Sequence, residues 1–533
     1  MPIHKKQKCS LIFNIAGPCS SSKHYMLDPL RDMGKELADL IEQEYYFVIH
    51  AARQTGKTTL LLNMTKQLNE EGKYHAVYCS LETAYGLLEP KEGIPAVARC
   101  ILRELKNSSF AKTFKYDEIS IGADNIIIDM LSKLCKKLKK PLVIFFDESD
   151  CLANGTLISF LRQLRNGYTN RTGGTPFVHS VALVGLRNIR DYLIHVRPGM
   201  QTLGKFSPFN IISKSMNLRT FTYNEVSELY LQHTKLTKQK FEQQALNLAY
   251  EQTQGQPWLV NAIARECVEE LSGKSKTITA EMVREAIQIL IKRRDVHFDV
   301  LFQKLKEERI KKIIEPMILG EDLGKIRETD DYLYAKDLGL IRDDRGMVEP
   351  ANPIYAEMIG RALSWWSQIE IEEKHPEFGI PRYFVKSNNS AQSDKIDISM
   401  LLKDFQKFWR ENSEIWGKAY SYKEAAPHLI LQAFLQRVIN GGGNIIREFA
   451  IGTGRADLCV VYKDKKYPIE LKLYKNAKTY QEGTEQAAKY AEKMGCKDAW
   501  LFVFDRRKKR TWKDKLFVRK RSFNGIKVTI FGG

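Results

Sequence analysis

One short stretch restricts what this chain can fold into more than any other: Ala51-Ala52-Arg53-Gln54-Thr55-Gly56-Lys57-Thr58, set between the β-rich run Tyr45 to His50 and a helical pattern. A loop in that position points consecutive backbone N–H groups at a phosphate held on the positive end of the following helix. Ala51, Gln54, Thr55, Gly56, Lys57, Thr58 and Thr59 are therefore candidate nucleotide contacts. Lys57 is expected to reach the β- and γ-phosphates, and Thr58 to ligate Mg²⁺. The usual first glycine of such a loop is replaced by Ala51, which is still small enough for the turn. Further on, the apolar run Leu142 to Phe146 ends in Asp147-Glu148, placing two carboxylates at the C-terminal edge of a buried strand. Asp147 would hold Mg²⁺ through water, and Glu148 would polarise the attacking water. ATP and Mg²⁺ are the ligands that this pair of motifs implies.

The surrounding pattern fits such a site. Tyr45 to His50, Ala76 to Ser80, Leu142 to Phe146 and Val181 to Gly185 alternate with helical segments, which predicts an α/β domain with a parallel sheet covered on both faces. Leu11 to Ala16 reads as a first strand. From Tyr223 to Lys292 the periodicity is helical, broken at Gly255-Gln256-Pro257, and predicts a separate helical lid. Short helices and a turn at Asp343-Asp344-Arg345-Gly346 predict a winged helix, and the polar stretch Glu370 to Ser399 reads as a linker. The expected domains are an ATPase core over 1–222, a lid over 223–297, a winged helix over 298–369, a linker over 370–399 and a C-terminal α/β domain over 400–533.

A length of 533 residues allows each of these domains its own core. With 43% hydrophobic and 28% charged residues, disorder, collagen and coiled coil are excluded as descriptions of the whole. No apolar run reaches the ~18 residues needed to span a bilayer, so no membrane partner is expected. Nine cysteines without a C-x-x-C pair predict a reducing, cytoplasmic setting rather than a disulfide framework. The net charge of +19 is concentrated at one end: residues 455–533 hold twenty-one Lys and Arg against nine Asp and Glu. Arg506-Arg507-Lys508-Lys509-Arg510 and Arg519-Lys520-Arg521, interleaved with Trp512, Phe517 and Phe523, suit a polyanion, and nucleic acid is the expected partner. A solvated turn between terminal strands is the alternative.

Phe13-Asn14-Ile15-Ala16-Gly17-Pro18-Cys19, His24-Tyr25-Met26 and the loop 51–58 resemble the prokaryotic AAA-like ATPases near the STAND and archaeal ORC-like P-loop proteins. The likeness continues through Gly255-Gln256-Pro257-Trp258-Leu259-Val260-Asn261 and Ala351-Asn352-Pro353-Ile354-Tyr355, covering most of residues 11–363. It implies that Pro257 packs near adenine and that Arg187, with Asn188 beside it, senses the γ-phosphate. His24 and Tyr25 are either adenine-stacking residues or core residues.

In the C-terminal domain, Asp457 lies on one β-run and Glu470-x-Lys472 on the next. Alternation puts Glu470 and Lys472 on one face of the strand. With a turn centred at Asp464-Lys465, position 470 would pair near 459 and position 472 near 457. Two carboxylates and an ammonium at a strand edge suit a Mg²⁺ site for phosphodiester hydrolysis, or else cross-strand ion pairs on a solvated hairpin. With Gln486 and Tyr490 on the next helix, the set resembles the PD-(D/E)xK nuclease superfamily, particularly its RecB-like branch. That resemblance implies Asp457 and Glu470 as metal ligands and Lys472, Gln486 and Tyr490 as further catalytic residues. The acidic residue that many members carry on the first helix has no counterpart between Ala425 and Ile439, where only Glu424 lies near the start. Two readings stay open here. One is an ATP-controlled, Mg²⁺-dependent nuclease acting on DNA or RNA. The other is an ATP-switched DNA-binding regulator with an inactive nuclease fold. Either allows a homo-oligomer.

Overall fold

The computed structural model describes residues 11–108, 125–186, 211–273, 275–293, 301–319, 324–344, 347–374, 380–386, 393–419, 426–439, 443–447, 457–463, 465–507 and 510–533. The chain divides into two compact units, Met1–Leu290 with Asp337–Gly339, and Ile291–Lys336 with Leu340–Gly533. No helix among the described residues is long and apolar enough to cross a membrane.

Five parallel strands centre the first unit: β1 (Tyr46–His50), β2 (His75–Ser80), β3 (Leu142–Asp147), β4 (Ser180–Gly185) and β5 (Ile212–Asn217), in the order β2-β3-β4-β1-β5. β3 and β4 are buried at every position, as a strand covered on both faces must be. Their alternate side chains feed two cores. Phe47, Ile49, Val143 and Phe145 pack under α1 (Gly34–Glu42) and α2 (Lys57–Glu71). Val48, Ile144, Phe146 and Leu183 pack under α3 (Pro90–Asn107), α4 (Ile126–Lys137) and α5 (Asn154–Asn170). The lid comprises α6 (Tyr223–Thr237), α7 (Gln243–Thr253), α8 (Pro257–Glu266) and α9 (Ala280–Arg293), with β6 (Lys240–Phe241) and β7 (Thr277–Ile278) as a short parallel pair. Thr222 and Glu225 start α6 with reciprocal side-chain-to-backbone bonds, a full capping box.

In the second unit α10 (Glu308–Leu319) and α11 (Asp330–Asp337) precede the antiparallel hairpin β8 (Ile341–Asp344) and β9 (Met347–Pro350). α12 (Pro353–Lys374) follows. Within the stretch expected to be a linker, the described residues carry regular structure. α12 runs into it, and β10 (Phe384–Lys386) pairs with β11 (Ser393–Ile396) beside the fully buried Tyr383. α12 packs along α14 (Ala426–Ile439) so closely that a Cβ at Gly360 would lie 2.3 Å from Gln432 Nε2. Gly360 is what permits that approach.

The C-terminal sheet has six strands in the order β12-β13-β14-β15-β17-β16. These are β12 (Gly443–Arg447), β13 (Leu458–Tyr462), β14 (Lys465–Leu473), β15 (Asp498–Phe504), β16 (Phe517–Phe523) and β17 (Ile526–Gly532). β12, β13 and β14 form an antiparallel meander, β14, β15 and β17 run parallel, and β16 closes the edge antiparallel to β17. α13 (Ile398–Ala419) and α14 cover one face over Ile469, Leu471, Phe502 and Phe504. α15 (Lys478–Lys493) covers the other with Ala487, Ala488 and Ala491 over Leu501, Val503 and Ile530.

Two expectations are corrected here. Leu11 to Ala16 forms no strand but only a single bridge, Ile12 to His24, because Phe13 turns into a cluster with Tyr25 and Tyr230 instead of pairing with the sheet. The β13–β14 turn pairs Tyr462 with Lys465, and Lys463 takes a left-handed φ of 50°. The register thus sets Leu458 opposite Ile469, two residues from the expected pairing, and Asp457 falls across from Glu470 rather than Lys472. A shift of two preserves strand parity, so all three remain on one face.

Candidate nucleotide site and C-terminal carboxylate site

β1 is followed by Ala51, whose N–H donates to Gly185 O at 3.2 Å and ties the loop to β4. The loop then needs two left-handed residues, Gln54 (φ 58°) and Gly56 (φ 98°), before α2 begins at Lys57. Gly56 is the position where a side chain would be strained. Thr55 Oγ1 donates to Ala52 O at 2.8 Å, closing the turn. Lys57 is buried, and its Nζ donates to Ala51 O and Ala52 O, both at 2.9 Å. Burial lowers its pKa, while Glu148, Asp147 and Asp150 favour the charged form. An ammonium held by neutral carbonyls in a low-dielectric pocket is set to exchange them for an anionic phosphate.

Thr58 Oγ1 donates to Asp147 Oδ2 at 2.7 Å, bringing together the two oxygens that a hard divalent cation would share. The same carboxylate oxygen receives Tyr78 OH from β2 at 3.0 Å, a positioning interaction that sequence reasoning missed. Glu148 is left-handed (φ 53°), and its N–H bonds back to Asp147 Oδ1 at 2.9 Å. Burial, then Asp150 and Asp147, raise its carboxyl pKa. Backbone strain at a non-glycine residue beside a buried carboxylate is of the kind found at working sites.

A cavity opens from the loop toward the lid. Gln54, Thr55, Gly56 and Thr59 line its loop end, and Pro257, Trp258 and Asn261 of α8 line the lid end. Thr59 Oγ1 accepts the Cys19 N–H at 3.0 Å, and Trp258 Nε1 donates to Ile15 O at 2.9 Å, so the segment around residues 14–19 walls the space. Tyr25 reaches the wall, yet it is mainly a core residue, its hydroxyl 3.1 Å from His233 Nδ1 and its ring 4.7 Å from Phe13. His24 does not line the cavity, and its Nδ1 instead accepts the Ser20 N–H at 3.0 Å. Arg31 and Phe221, also on the wall, escape a reading of the sequence. Arg31 binds Glu225 of the lid at 2.5 Å, and Arg219 binds the same carboxylate at 2.7 Å and also Asp32. Arg187 and Asn188 lie outside the described residues.

In the C-terminal domain Asp457 Oδ2 accepts the Leu471 N–H at 2.7 Å, and Lys472 Nζ pairs with Glu470 Oε1 at 2.6 Å. Glu470 is only 2% exposed, and its Oε2 has no partner among the described residues. Burial, then the Asp457 charge, push its pKa up to about 8, against the pull of Lys472. Burial works against the Lys472 ammonium, but Glu470, Asp457 and the more distant Glu482 outweigh it and raise its pKa. An orphaned, destabilised carboxylate oxygen beside a second carboxylate fits a cation. The pair is sparse all the same, since no group of three or more His, Cys, Asp or Glu placed to hold a metal ion occurs among the described residues. α15 crosses this face at Gly483, where a Cβ would sit 3.3 Å from Lys472 Cγ. On the same helix Gln486 is exposed and Tyr490 is 8% exposed. Glu424 falls outside the described residues.

The basic end resolves into two parts. Arg507 is tied to Asp505 at 2.6 Å and lies 3.6 Å from the Tyr474 ring centre, so it is a structural residue. Lys508 and Lys509 are outside the described residues. Arg519, Lys520 and Arg521 are exposed on the edge strand β16. The register carries one row across the sheet from Glu470 through Leu501 and Ile530 to Arg519, about 14 Å at ordinary strand spacing.

Two family models match the chain, an AAA-like domain over residues 20–359 and a domain of unknown function (DUF8371) over residues 403–508. No curated protein matches the sequence. Among solved structures, the Walker-type ATPase PabY2304 of Pyrococcus abyssi aligns with a TM-score of 0.45 at 13% identity, covering 65% of this chain and 99% of that one. The ORC2 protein of Aeropyrum pernix, in ADPNP and ADP complexes, gives 0.40 at 12% identity over 62% and 92%. The RuvB Holliday junction branch migration motor of Thermotoga maritima gives 0.33 at 13% over 60% and 91%. The AAA-like match takes in more than half of the sequence and encloses the phosphate loop, Asp147-Glu148 and the lid, and on that basis the chain belongs to the AAA-like domain family.

Proposed function

We propose that this protein binds and hydrolyses ATP with Mg²⁺ between its phosphate loop and helical lid, and that the nucleotide state controls a metal-dependent nuclease in its C-terminal domain. The observation that carries the first half is the meeting of Thr58 and Asp147 at 2.7 Å, beside a lysine whose Nζ is hydrogen-bonded to two carbonyls. Bound Mg²⁺ would offset charge on the phosphates. Lys57 would move from Ala51 O and Ala52 O to phosphate oxygens, Tyr78 would hold Asp147 in place, and Glu148 would take a proton from the attacking water. Arg187 and Pro257 would complete the site at the γ-phosphate and the base, and lid closure would follow from the contacts Pro257 makes.

Tyr78→Phe should raise the Mg²⁺ concentration for half-maximal ATP turnover about tenfold, with kcat at saturating Mg²⁺ less affected, because losses of this kind in outer-shell partners act on metal affinity. A Mg²⁺ titration of turnover checks it.

The second half rests on Asp457 and the orphaned Oε2 of Glu470, which would share a divalent ion, with Lys472 orienting water and Gln486 and Tyr490 flanking from α15. Nucleic acid, DNA by preference, is the proposed substrate. The cytoplasm is the proposed setting, and a winged helix over the β8–β9 hairpin is a proposed second binding element. The exposed cations of the basic edge strand β16 would meet a phosphate backbone. Neutralising Arg519, Lys520 and Arg521 together should lower nucleic-acid affinity and flatten its log-log salt dependence by about one unit for each phosphate that they neutralise in the wild type. An unchanged slope would mean that the charges only guard an edge strand against pairing.

One observation favours a rival: Glu470 is buried and already paired with Lys472, as in a domain that binds nucleic acid without cutting it. Incubation with linear, supercoiled and single-stranded DNA and with RNA, with and without ATP and Mg²⁺, separates the two. Cleavage of any of them supports the nuclease, and retention without cleavage supports the rival.

A further inference from the structure

Beyond Lys472, β14 ends among aromatic rings that have no part in the chemistry proposed above. Tyr474 extends the strand by one residue, its N–H donating to Phe504 O at 2.8 Å. Thr479 Oγ1 then accepts the N–H groups of Lys475 and Asn476, each at 3.2 Å, so the chain turns tightly into α15. That turn returns Tyr480 to Tyr474, with ring centres 5.5 Å apart. Phe517, at the start of β16, lies 5.5 Å from Tyr480 in its turn. Its ring has room because its ladder partner is Gly532, where a Cβ would come 2.4 Å from it. The chain Tyr474–Tyr480–Phe517 therefore sits at the carboxyl ends of the parallel strands β14, β15 and β17, and each ring is only partly buried. Open α/β sheets bind their ligands at the carboxyl ends of their strands.

The surroundings of the rings are positive. The Arg507 guanidinium carbon lies 3.6 Å from the centre of the Tyr474 ring, and that of Arg519 lies 4.6 Å from the centre of Phe517. The two cations differ. Arg507 is fixed by Asp505, through Nε at 2.9 Å and a terminal nitrogen at 2.6 Å. Arg519 is exposed and makes no hydrogen bond or ion pair among the described residues, so it can leave Phe517 for a phosphate and uncover the ring. Lys475, Lys478, Arg510 and Lys513, on the segments that leave this edge, are exposed as well. Of the carboxylates on those segments, Asp505 is paired with Arg507, and Asp514 accepts from Thr511 Oγ1 at 2.7 Å. Rings set among available cations suit unpaired bases, whose faces are open, better than a duplex, whose faces are covered by neighbouring pairs.

We propose that this edge is a stacking surface for unpaired bases, so that the nucleic acid taken by the C-terminal domain is single-stranded. This rests on the reading of that domain as one that binds nucleic acid. Bases lie on Phe517 and Tyr480, and Arg519 moves from the Phe517 ring to a neighbouring phosphate. Tyr474 continues by alternation the face of β14 that holds Glu470 and Lys472, so a strand stacked here leads toward those two residues.

The test measures binding of labelled oligonucleotides to the full chain by fluorescence anisotropy, without divalent ions so that nothing is cut. The probes, each made as DNA and as RNA, are a single strand, its blunt duplex, and the same strand with abasic units in place of its nucleosides. An abasic strand keeps every phosphate and has no bases to stack. In whichever sugar binds better, the wild type should hold the intact strand at least about tenfold more tightly than the duplex and than the abasic strand. Tyr480→Leu combined with Phe517→Leu keeps apolar bulk against α15 but has no ring faces. It should lose about tenfold on the intact strand alone, with an unchanged salt slope because the phosphate contacts remain. Tyr480→Phe should bind as the wild type does. Equal wild-type affinity for intact and abasic strands, or for strand and duplex, overturns the proposal even if the variants misfold. Binding of none of the probes overturns the nucleic-acid reading itself, and this inference with it.

Discussion

Lys57→Ala should weaken ATP binding by at least about a hundredfold and leave the protein folded. Hydrogen bonds to charged groups contribute about 1.5 to 3 kcal/mol each, and Lys57 is expected to make two of them to the β- and γ-phosphates, which sets the scale. The fold should survive because the Lys57 Nζ is hydrogen-bonded to the neutral Ala51 and Ala52 carbonyls, and Glu148, Asp147 and Asp150 act on it with no contact ion pair among the described residues. Glu148→Gln should behave differently. It leaves the phosphate contacts and the Thr58–Asp147 pair intact, so ATP affinity should hold while turnover falls about a hundred- to a thousandfold, as expected for loss of a general base. Equilibrium binding and single-turnover hydrolysis distinguish the two variants. Wild-type ATP affinity in Lys57→Ala would remove the nucleotide assignment.

Glu470→Gln should abolish Mg²⁺-dependent cleavage, by about a thousandfold or more, and leave ATP turnover per molecule unchanged. A divalent ion contributes several kcal/mol of charge stabilisation to phosphodiester hydrolysis, and losing a ligand carboxylate forfeits most of it. The amide is the informative substitution. Glu470→Ala would leave the half-buried Lys472 ammonium without its partner at 2.6 Å, a loss of stability that would confuse the reading of lost cleavage. Asp457→Asn is preferred to Asp457→Ala for a related reason, since Asp457 Oδ2 accepts the Leu471 N–H and alanine would leave that donor unmatched. Lys472→Ala should still bind metal and nucleic acid but cut slowly. Cleavage by Glu470→Gln at the wild-type rate would rule out the metal role.

The parts of the fold that can be read directly are those where one residue type answers one physical demand. Gly56 must be left-handed, and the strands β1 to β4 are apolar because helices cover both faces. β5 escapes for the opposite reason: its sequence, Ile-Ser-Lys-Ser-Met-Asn, lies at the sheet edge with most of its side chains exposed, so it carries no apolar run. Tyr78 looks like an ordinary strand tyrosine. Its role depends on β2 lying against β3 in the register that pairs Ser80 with Asp147, a long-range fact. The hairpin turn of β13 and β14 falls one residue earlier than its sequence suggests, because any of several polar residues there can make a turn. Parity keeps Asp457, Glu470 and Lys472 together even so. The folded residues 380–386 and 393–396 are hidden by the Pro, Asn and Ser content around them, which reads as a linker whether or not a tyrosine within it is buried.

If ATP bound at Lys57 governs cleavage at Glu470, a cleavage time course in Mg²⁺ with and without ATP shows it most directly. Run on the wild type, Lys57→Ala and Glu470→Gln, it should give ATP-dependent cutting by the wild type, the same rate with and without ATP for Lys57→Ala, and no cutting for Glu470→Gln. Absence of cleavage by the wild type on DNA and RNA under every nucleotide condition, or a wild-type rate indifferent to ATP, would contradict that coupling.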